Sequence, residues 1–350
     1  MKWLRLLLFP FAILYGGITA IRNLLYDKNI LKSFSFNLPV IVVGNLSTGG
    51  TGKSPQTEYL IRLLSVKYRV AVLSRGYKRQ SKGFVLADKN TRVEDLGDEP
   101  FQFFTKFKNI YVAVDSDRKN GIQNLLELQN PPEVILLDDA FQHRKVKAGF
   151  NILLTTYGDI YTDDFMLPTG NLREWRSGAK RADIIIVTKC LPDISEEKQN
   201  IIVNKINPKH RQKVFFSKIG YDSKVYSRNQ NVKFADIYKK PKLLVAGIAK
   251  PRPFFAYLQQ ADDDVMIFPD HHNYTNTDVL EILEKANGRI IITTEKDYMR
   301  LQNKLDSEKL FYLPIQTEFL KEVEIFNQKI LDYVGESSEN SSMAERKNKL

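Results

Sequence analysis

Cysteine occurs once in 350 residues, at Cys190, histidine four times and tryptophan twice. A single cysteine excludes an internal disulfide and fits a reducing compartment. No paired Cys/His spacing offers the ligands of a structural zinc site. Acidic residues are the scarcer charged class: 41 Asp and Glu stand against 52 Lys and Arg, a formal net charge of +11. That excess favours an anionic partner, whether nucleic acid, an acidic membrane or a phosphorylated substrate. Also missing at the N-terminus is an unbroken apolar run of the roughly 20 residues that a spanning helix needs. Leu6 to Ile21 is uncharged, but Pro10, Gly16 and Gly17 interrupt it, and Lys2, Arg5 and Arg22 flank it. A secretory signal would carry a small-residue cleavage site, and none is evident. The segment reads as a helix lying in the membrane interface, its basic flank toward acidic headgroups. A true span or a buried core helix is the alternative.

What is present starts with GGTGKS at residues 49–54, directly after the apolar run Val40–Val43 and Gly44-Asn45. A strand, a glycine-rich turn and Lys-Ser opening a helix form a phosphate-binding loop, in which backbone N–H groups face an anion. The lysine reaches the outer phosphates and the serine hydroxyl can hold Mg²⁺. The loop comprises Ser47, Thr48, Gly49, Gly50, Thr51, Gly52, Lys53 and Ser54. Ser47 stands where the consensus has a glycine, so the left-handed turn falls to a neighbour such as Gly49. Pro55 is tolerated in the first helical turn, where its missing N–H has no partner anyway. The chain is therefore expected to bind ATP or GTP.

Apolar runs alternate with helix-length segments through most of the sequence, which is the rhythm of a mostly parallel sheet covered on both faces. Expected strands are Val40–Val43, Arg69–Ser74, Ile110–Val114, Val134–Leu137, Asn151–Leu154 and Asp183–Thr188. A second group comprises Leu243–Gly247, Val265–Phe268, Arg289–Thr294 and Leu310–Pro314. The reading is α/β, a P-loop NTPase-like sheet with a second, smaller α/β lobe. Its expected parts are an N-terminal membrane helix (1–32), a P-loop lobe (33–210), a C-terminal lobe with a hinge (211–335) and a disordered polar tail (336–350).

Several segments fall at strand ends, where ligands of such sheets sit. Val134 to Asp139 is a buried strand closed by two carboxylates, Asp138 and Asp139, placed to hold Mg²⁺ or its water. Gly97-Asp98-Glu99-Pro100 puts two acids in a turn before an aromatic helix, a simple N-cap or a catalytic acid. Asp270-His271-His272 follows another strand, and Asp98 with His271 would form a base oriented by its partner. Arg75 and Tyr77, Arg118, and the loop holding Asn171, Arg173 and Glu174 add basic groups suited to several phosphates.

Taken in order, VGNLSTGGTGKSP (43–55), LSRGYKR (73–79), GDEP (97–100), LLDDAFQHR (136–144), LPTGNLRE (167–174), FPDHHNY (268–274) and TEKDYMRL (294–301) resemble the tetraacyldisaccharide 4'-kinase family. The likeness covers about residues 3 to 320. It implies transfer of the γ-phosphate of ATP, with Mg²⁺, to the 4'-hydroxyl of a tetraacylated glucosamine disaccharide 1-phosphate. It also implies an enzyme on the cytoplasmic face of the bacterial inner membrane, docked on an anionic surface, with no nucleic-acid partner. By the same resemblance Asp98 is the catalytic base, His271 its partner, Lys53 and Ser54 the Walker residues, and Asp138, Asp139 and Glu174 the metal contacts. Arg75, Tyr77, Arg118, Asn171 and Arg173 are then expected near substrate or phosphate. Ala140 stands where a glycine is common after the acidic pair.

A membrane-associated ATPase switch of the partitioning type is the rival. Its variant loop carries a lysine where this chain has Thr48. A GTPase would want an Asp where Val187-Thr188-Lys189 is followed by Cys190.

Overall fold

The computed structural model describes residues 5–270, 272–305 and 308–347. Its contacts divide the chain into two compact units, Met1–Ile219 with Thr317–Leu350, and Gly220–Gln316.

The larger unit is built on a sheet ordered β15-β8-β7-β6-β1-β5-β2-β4-β3. The strands are β1 (Val40–Asn45), β2 (Val70–Ser74), β3 (Val85–Leu86), β4 (Tyr111–Val114), β5 (Val134–Asp138), β6 (Phe150–Thr156), β7 (Ile184–Thr188), β8 (Lys213–Tyr221) and β15 (Ile315–Phe319). Every pairing from β4 through β8 is parallel, and short β3 runs antiparallel to β4. All six residues of β1 are buried. Val40 and Val42 enter the core on one face, and Ile41 and Val43 the core on the other. A strand covered on both faces reads as a continuous apolar run, which is why the sequence marks it so clearly.

After β1 the chain crosses to β2 and β4, returns to β5 beside β1, and continues on the opposite side through β6, β7 and β8. That reversal opens a crevice beyond the carboxyl ends of β1 and β5. Four helices bear on it: α1 (Phe9–Asp27), α2 (Lys53–Leu64), α3 (Asp98–Lys106) and α4 (Arg118–Leu126). Fully buried Leu60, Ile61 and Leu64 seat α2 on the sheet.

The smaller unit has a sheet ordered β10-β9-β14-β13-β11-β12, parallel among β11 (Lys242–Ala246), β12 (Asp264–Ile267), β13 (Ile290–Thr294) and β14 (Leu310–Leu313). Antiparallel β9 (Lys224–Tyr226) and β10 (Asn231–Lys233) close one edge. Two expected boundaries differ from these units. The hinge expected from residue 211 opens instead with the nine-residue β8, which pairs with β7 through Ile184↔Lys213 to Val187↔Phe216. Beyond residue 316 the chain belongs to the first unit and ends in a helix over Val323–Lys347 that includes most of the expected disordered tail. Buried Phe326, Ile330 and Val334, at helical spacing, fasten its first turns to the sheet core.

Candidate active site

The phosphate-binding loop follows β1 as expected. Gly49 and Gly52 take φ +107° and +86°, backbone that side chains other than glycine rarely adopt. Gly49 therefore supplies the turn that Ser47 cannot, while Ser47 bridges to Leu172. Gly52 caps α2, leaving the first N–H groups of the helix directed at the loop, and Thr48, Gly49 and Gly50 are exposed. The loop is braced from behind: Asn45 donates to Thr51 Oγ1 at 2.8 Å, Thr188 Oγ1 donates to the Thr51 carbonyl at 2.8 Å, and Lys189 Nζ to the Gly50 carbonyl at 2.6 Å.

β5 delivers Asp138 and Asp139 beside Lys53. Asp139 takes φ +47°, and the turn closes with Ala140 buried, so the missing glycine is accommodated by the preceding aspartate. The two carboxyls are driven apart. Burial, then the Asp139 charge, pushes Asp138 up to about 6, against Lys53 and a hydrogen bond from Thr57 at 3.2 Å. Burial would raise Asp139 too, but Lys53 at 3.7 Å and Arg173 hold it below the usual carboxylate range. Arg173 donates to both Asp139 oxygens, at 2.8 and 3.2 Å, and also to the Asn45 side chain.

Arg118 opens α4 and is buried, with Nε lacking a partner among the described residues. Burial pulls its guanidinium down to about 10, opposed first by the Asp138 charge and reinforced by Arg75. Those influences put Arg75, Arg118 and the acidic pair within electrostatic reach of one another. In the Asp98 turn, Gly97 packs on the Tyr77 carbonyl and the charge of neighbouring Glu99 reaches Asp138. Asp98 stands half-buried in the first turn of α3. Arg118 Nη1 donates to the Asp115 and Ser116 carbonyls at 3.3 Å, so Nε is the donor left to receive an anionic oxygen.

Three expected residues sit differently. Glu174 does not join Asp138 and Asp139, and among the described residues no three acidic, His or Cys groups converge as a metal cluster. Buried, it accepts instead from Asn23 at 2.9 Å, Gln142 at 2.9 Å and Arg181 at 2.7 Å. The two adjacent side chains of this irregular loop diverge, Arg173 toward Asp139 and Glu174 away from it. Tyr77 is exposed, and Asn171 is engaged in the loop, its carbonyl accepting from Thr48 at 2.7 Å and its side chain from Arg5 at 3.2 Å. His271 lies outside the described residues.

Asn45, Thr57, Gln142 and Thr188 were not singled out as site residues in the sequence, although Asn45 follows the strand directly and could have been flagged by that position. His143 is another. Burial and Arg118 pull its imidazole from 6.5 down to about 4, and Nε2 has no partner among the described residues. A folded value below the ordinary one means that the unfolded chain takes up this proton first. The contribution to stability is thus complete above pH about 6.5 and lost as pH falls toward about 4. Asp138, shifted upward, works in the opposite sense, so the comparison must be between variant and wild type. His143→Gln should flatten the loss of denaturant resistance between pH 7 and 5. An unchanged slope in paired urea titrations would remove His143 as its source.

The chain has relatives at full length. A sequence model of the family described as Tetraacyldisaccharide-1-P 4'-kinase matches residues 4–334. A tetraacyldisaccharide 4'-kinase of Flavobacterium johnsoniae is 60% identical over 339 residues, covering 97% of this chain and 100% of the relative. One from Bacteroides thetaiotaomicron is 44% identical over 371 residues, covering 99% and 97%. The crystal structure of LpxK from Aquifex aeolicus in complex with ATP superposes with a TM-score of 0.77 at 31% identity, covering 95% of this chain and 99% of that one.

Proposed function

Because the chain belongs to the tetraacyldisaccharide 4'-kinase family, it is an ATP-dependent kinase that phosphorylates the disaccharide lipid, and we propose that the reaction runs at the crevice beyond β1 and β5. The observation that carries this placement is the convergence of Lys53 and Arg173 on Asp139 at the end of β5, beside an exposed phosphate loop. In that arrangement Asp98 accepts the proton of the 4'-hydroxyl as its oxygen attacks the γ-phosphorus. Lys53 and the loop N–H groups stabilise charge on the phosphoryl oxygens, and Arg118 and Arg75 hold the substrate's own phosphate. The resemblance gives His271 a share in the proton transfer, so His271→Asn should lower kcat with little change in ATP affinity.

The donors present suit Mg²⁺, which wants hard oxygen ligands and makes do with one or two carboxylates plus phosphate oxygens. Asp138, Asp139 and Ser54 would hold it, where it would neutralise charge on the β- and γ-phosphates. Glu174 is left out of that set because its carboxylate faces Asn23, Gln142 and Arg181 rather than the end of β5.

The lipid substrate implies a lipid surface. Along α1 the residues turned inward are Ala12, Tyr15, Gly16, Thr19 and Asn23, at helical spacing and mostly small or polar. The large apolar ones face out: Phe11 is 62% exposed, Ile13 57%, Leu14 64%, Ile18 59% and Ile21 62%. Among the described residues no helix is long and apolar enough to cross a membrane. We assign α1 to the interface of an anionic bilayer on the cytoplasmic side. Burial offers about 0.8 kcal/mol per CH₂, and each nearby Lys or Arg adds ~1 kcal/mol. Removing residues 1–27 should abolish flotation with vesicles containing anionic phospholipid, and high salt should release part of the intact chain. Salt- and carbonate-resistant retention of the intact chain would favour a span instead. The activity itself is tested with purified protein, ATP, Mg²⁺ and tetraacyldisaccharide 1-phosphate. Phosphate should appear on the lipid in proportion to ADP formed, and ATP hydrolysis without lipid labelling would support the switch-type reading.

A further inference from the structure

Helix α1 is fastened to the catalytic loop by polar contacts that anchoring to a membrane does not require. Tyr15 Oη donates to the Arg173 carbonyl at 3.0 Å. Asn23 Nδ2 donates to Glu174 Oε2 at 2.9 Å. Trp175 Nε1 donates to the Gly16 carbonyl at 2.7 Å, and its ring lies so close that a Cβ on Gly16 would stand 2.7 Å from Cζ2. Arg5 reaches the Pro168 carbonyl and the Asn171 side chain at 3.1 and 3.2 Å, and Arg144 donates to the Asn23 carbonyl at 2.8 Å. Three consecutive residues of one loop, Arg173, Glu174 and Trp175, are thus each held by α1.

The contacts continue inward without a break. Glu174 Oε1 accepts from Gln142, whose same amide nitrogen donates to the Asn45 carbonyl at 2.8 Å. Asn45 braces Thr51 in the phosphate loop, and Arg173 grips Asp139. Glu174 and Asn45 are buried, where a lost partner leaves a costly unpaired polar group rather than a harmless gap.

We propose that α1 is a positioning element of the phosphate site, with Tyr15 and Asn23 the positioning residues that hold the Arg173–Glu174 segment in register with Asp139 and Asn45. The lipid surface on its outer face then does more than concentrate substrate. By stabilising the docked helix it stabilises the geometry in which phosphate is transferred, so turnover depends on the inner face of α1 independently of anchoring. The inference rests on the placement of catalysis at the Lys53 loop.

Leucine substitution separates the two roles, because Asn23→Leu removes the hydrogen bond while adding apolar surface. Tyr15→Phe removes only a hydroxyl and keeps the ring. With substrate in mixed micelles, Asn23→Leu should lower kcat at least tenfold and Tyr15→Phe several-fold, with vesicle flotation and the KM for lipid unchanged. In an Arg173→Ala background Asn23→Leu should cost less than twofold more, since the end of the path is already lost. Asn23→Gln, which keeps a donor, should recover part of the activity. With Trp3→Phe leaving Trp175 as the single tryptophan, emission should shift on Asn23→Leu as the ring loses its contact with Gly16. Wild-type kcat in Asn23→Leu and Tyr15→Phe would overturn the proposal, as would a full additive loss in the Arg173→Ala background. If Asn23→Leu does not fold, Tyr15→Phe decides by the same kcat criterion. Undiminished transfer by Lys53→Ala is a different outcome and would overturn the site placement itself.

Discussion

Lys53→Ala should lower kcat/KM for ATP by on the order of 10²- to 10³-fold, the usual loss when one preorganised donor to phosphoryl charge is removed. Lys53 is the first residue of α2, and its Nζ stands 3.7 Å from Asp139 and 3.5 Å from Asn45 Oδ1. From there the ammonium can touch the phosphates in both ground and transition states. KM and kcat should therefore both suffer, and direct nucleotide binding should weaken as well. A second effect follows from the acidic pair. Lys53, with Arg173, holds the Asp139 carboxyl down, and it also lowers Asp138. Without it Asp138 loses a compensating charge and Asp139 is left to Arg173, and Lys53→Arg should restore only part of the loss because a planar fork replaces a compact ammonium. Wild-type kinetics across an ATP titration of Lys53→Ala would show that the loop serves something other than the nucleotide.

Asp98→Asn should lower kcat by about 10²- to 10⁴-fold with ATP affinity nearly unchanged, as expected for loss of a general base that is not a phosphate ligand. The asparagine is isosteric and keeps the turn, where Gly97, with φ +88°, packs against the Tyr77 carbonyl. The loss should therefore not come from misfolding of the turn, and the thermal midpoint should stay close to wild type. The split distinguishes Asp98 from its neighbours. Glu99, whose charge reaches Asp138, should affect the Mg²⁺ dependence more than the proton transfer. Turnover near wild type in Asp98→Asn, measured at saturating ATP and lipid, would remove this residue as the base.

Much of the nucleotide half of the site was legible because it depends on backbone conformation. Glycine at 49 and 52 marks positive φ, and an unbroken apolar run marks a strand buried on both faces, so β1, the loop and α2 could be located by pattern. Strand ends could be flagged by the same logic, since Asp138 and Arg118 feel one another's charge and Arg118 that of Arg75. What pattern could not supply was side-chain direction in irregular segments. Arg173 and Glu174 are adjacent letters of one motif, yet one grips Asp139 and the other faces Asn23, Gln142 and Arg181. Nor could it show the supporting contacts, since Asn45, Gln142 and Thr188 act through partners distant in sequence. The N-terminal helix was legible as amphipathic, but its inner face, with Gly16 against Trp175 and Asn23 on Glu174, depends on residues some 150 positions away. The unit boundary was missed because a chain that leaves a sheet and later returns to it leaves no local mark.

The central claim is a direct, in-line transfer from ATP to the sugar hydroxyl, with Asp98 as base and no covalent intermediate. The stereochemical course at phosphorus tests it most directly. ATP made chiral at the γ-phosphorus with oxygen isotopes is turned over on tetraacyldisaccharide 1-phosphate, and the configuration of the phosphate on the product's 4'-oxygen is read. A single displacement at the Lys53 loop inverts that configuration. Retention would mean two successive displacements through a phosphorylated side chain, and the assignment of Asp98 as a base rather than a nucleophile would then be wrong.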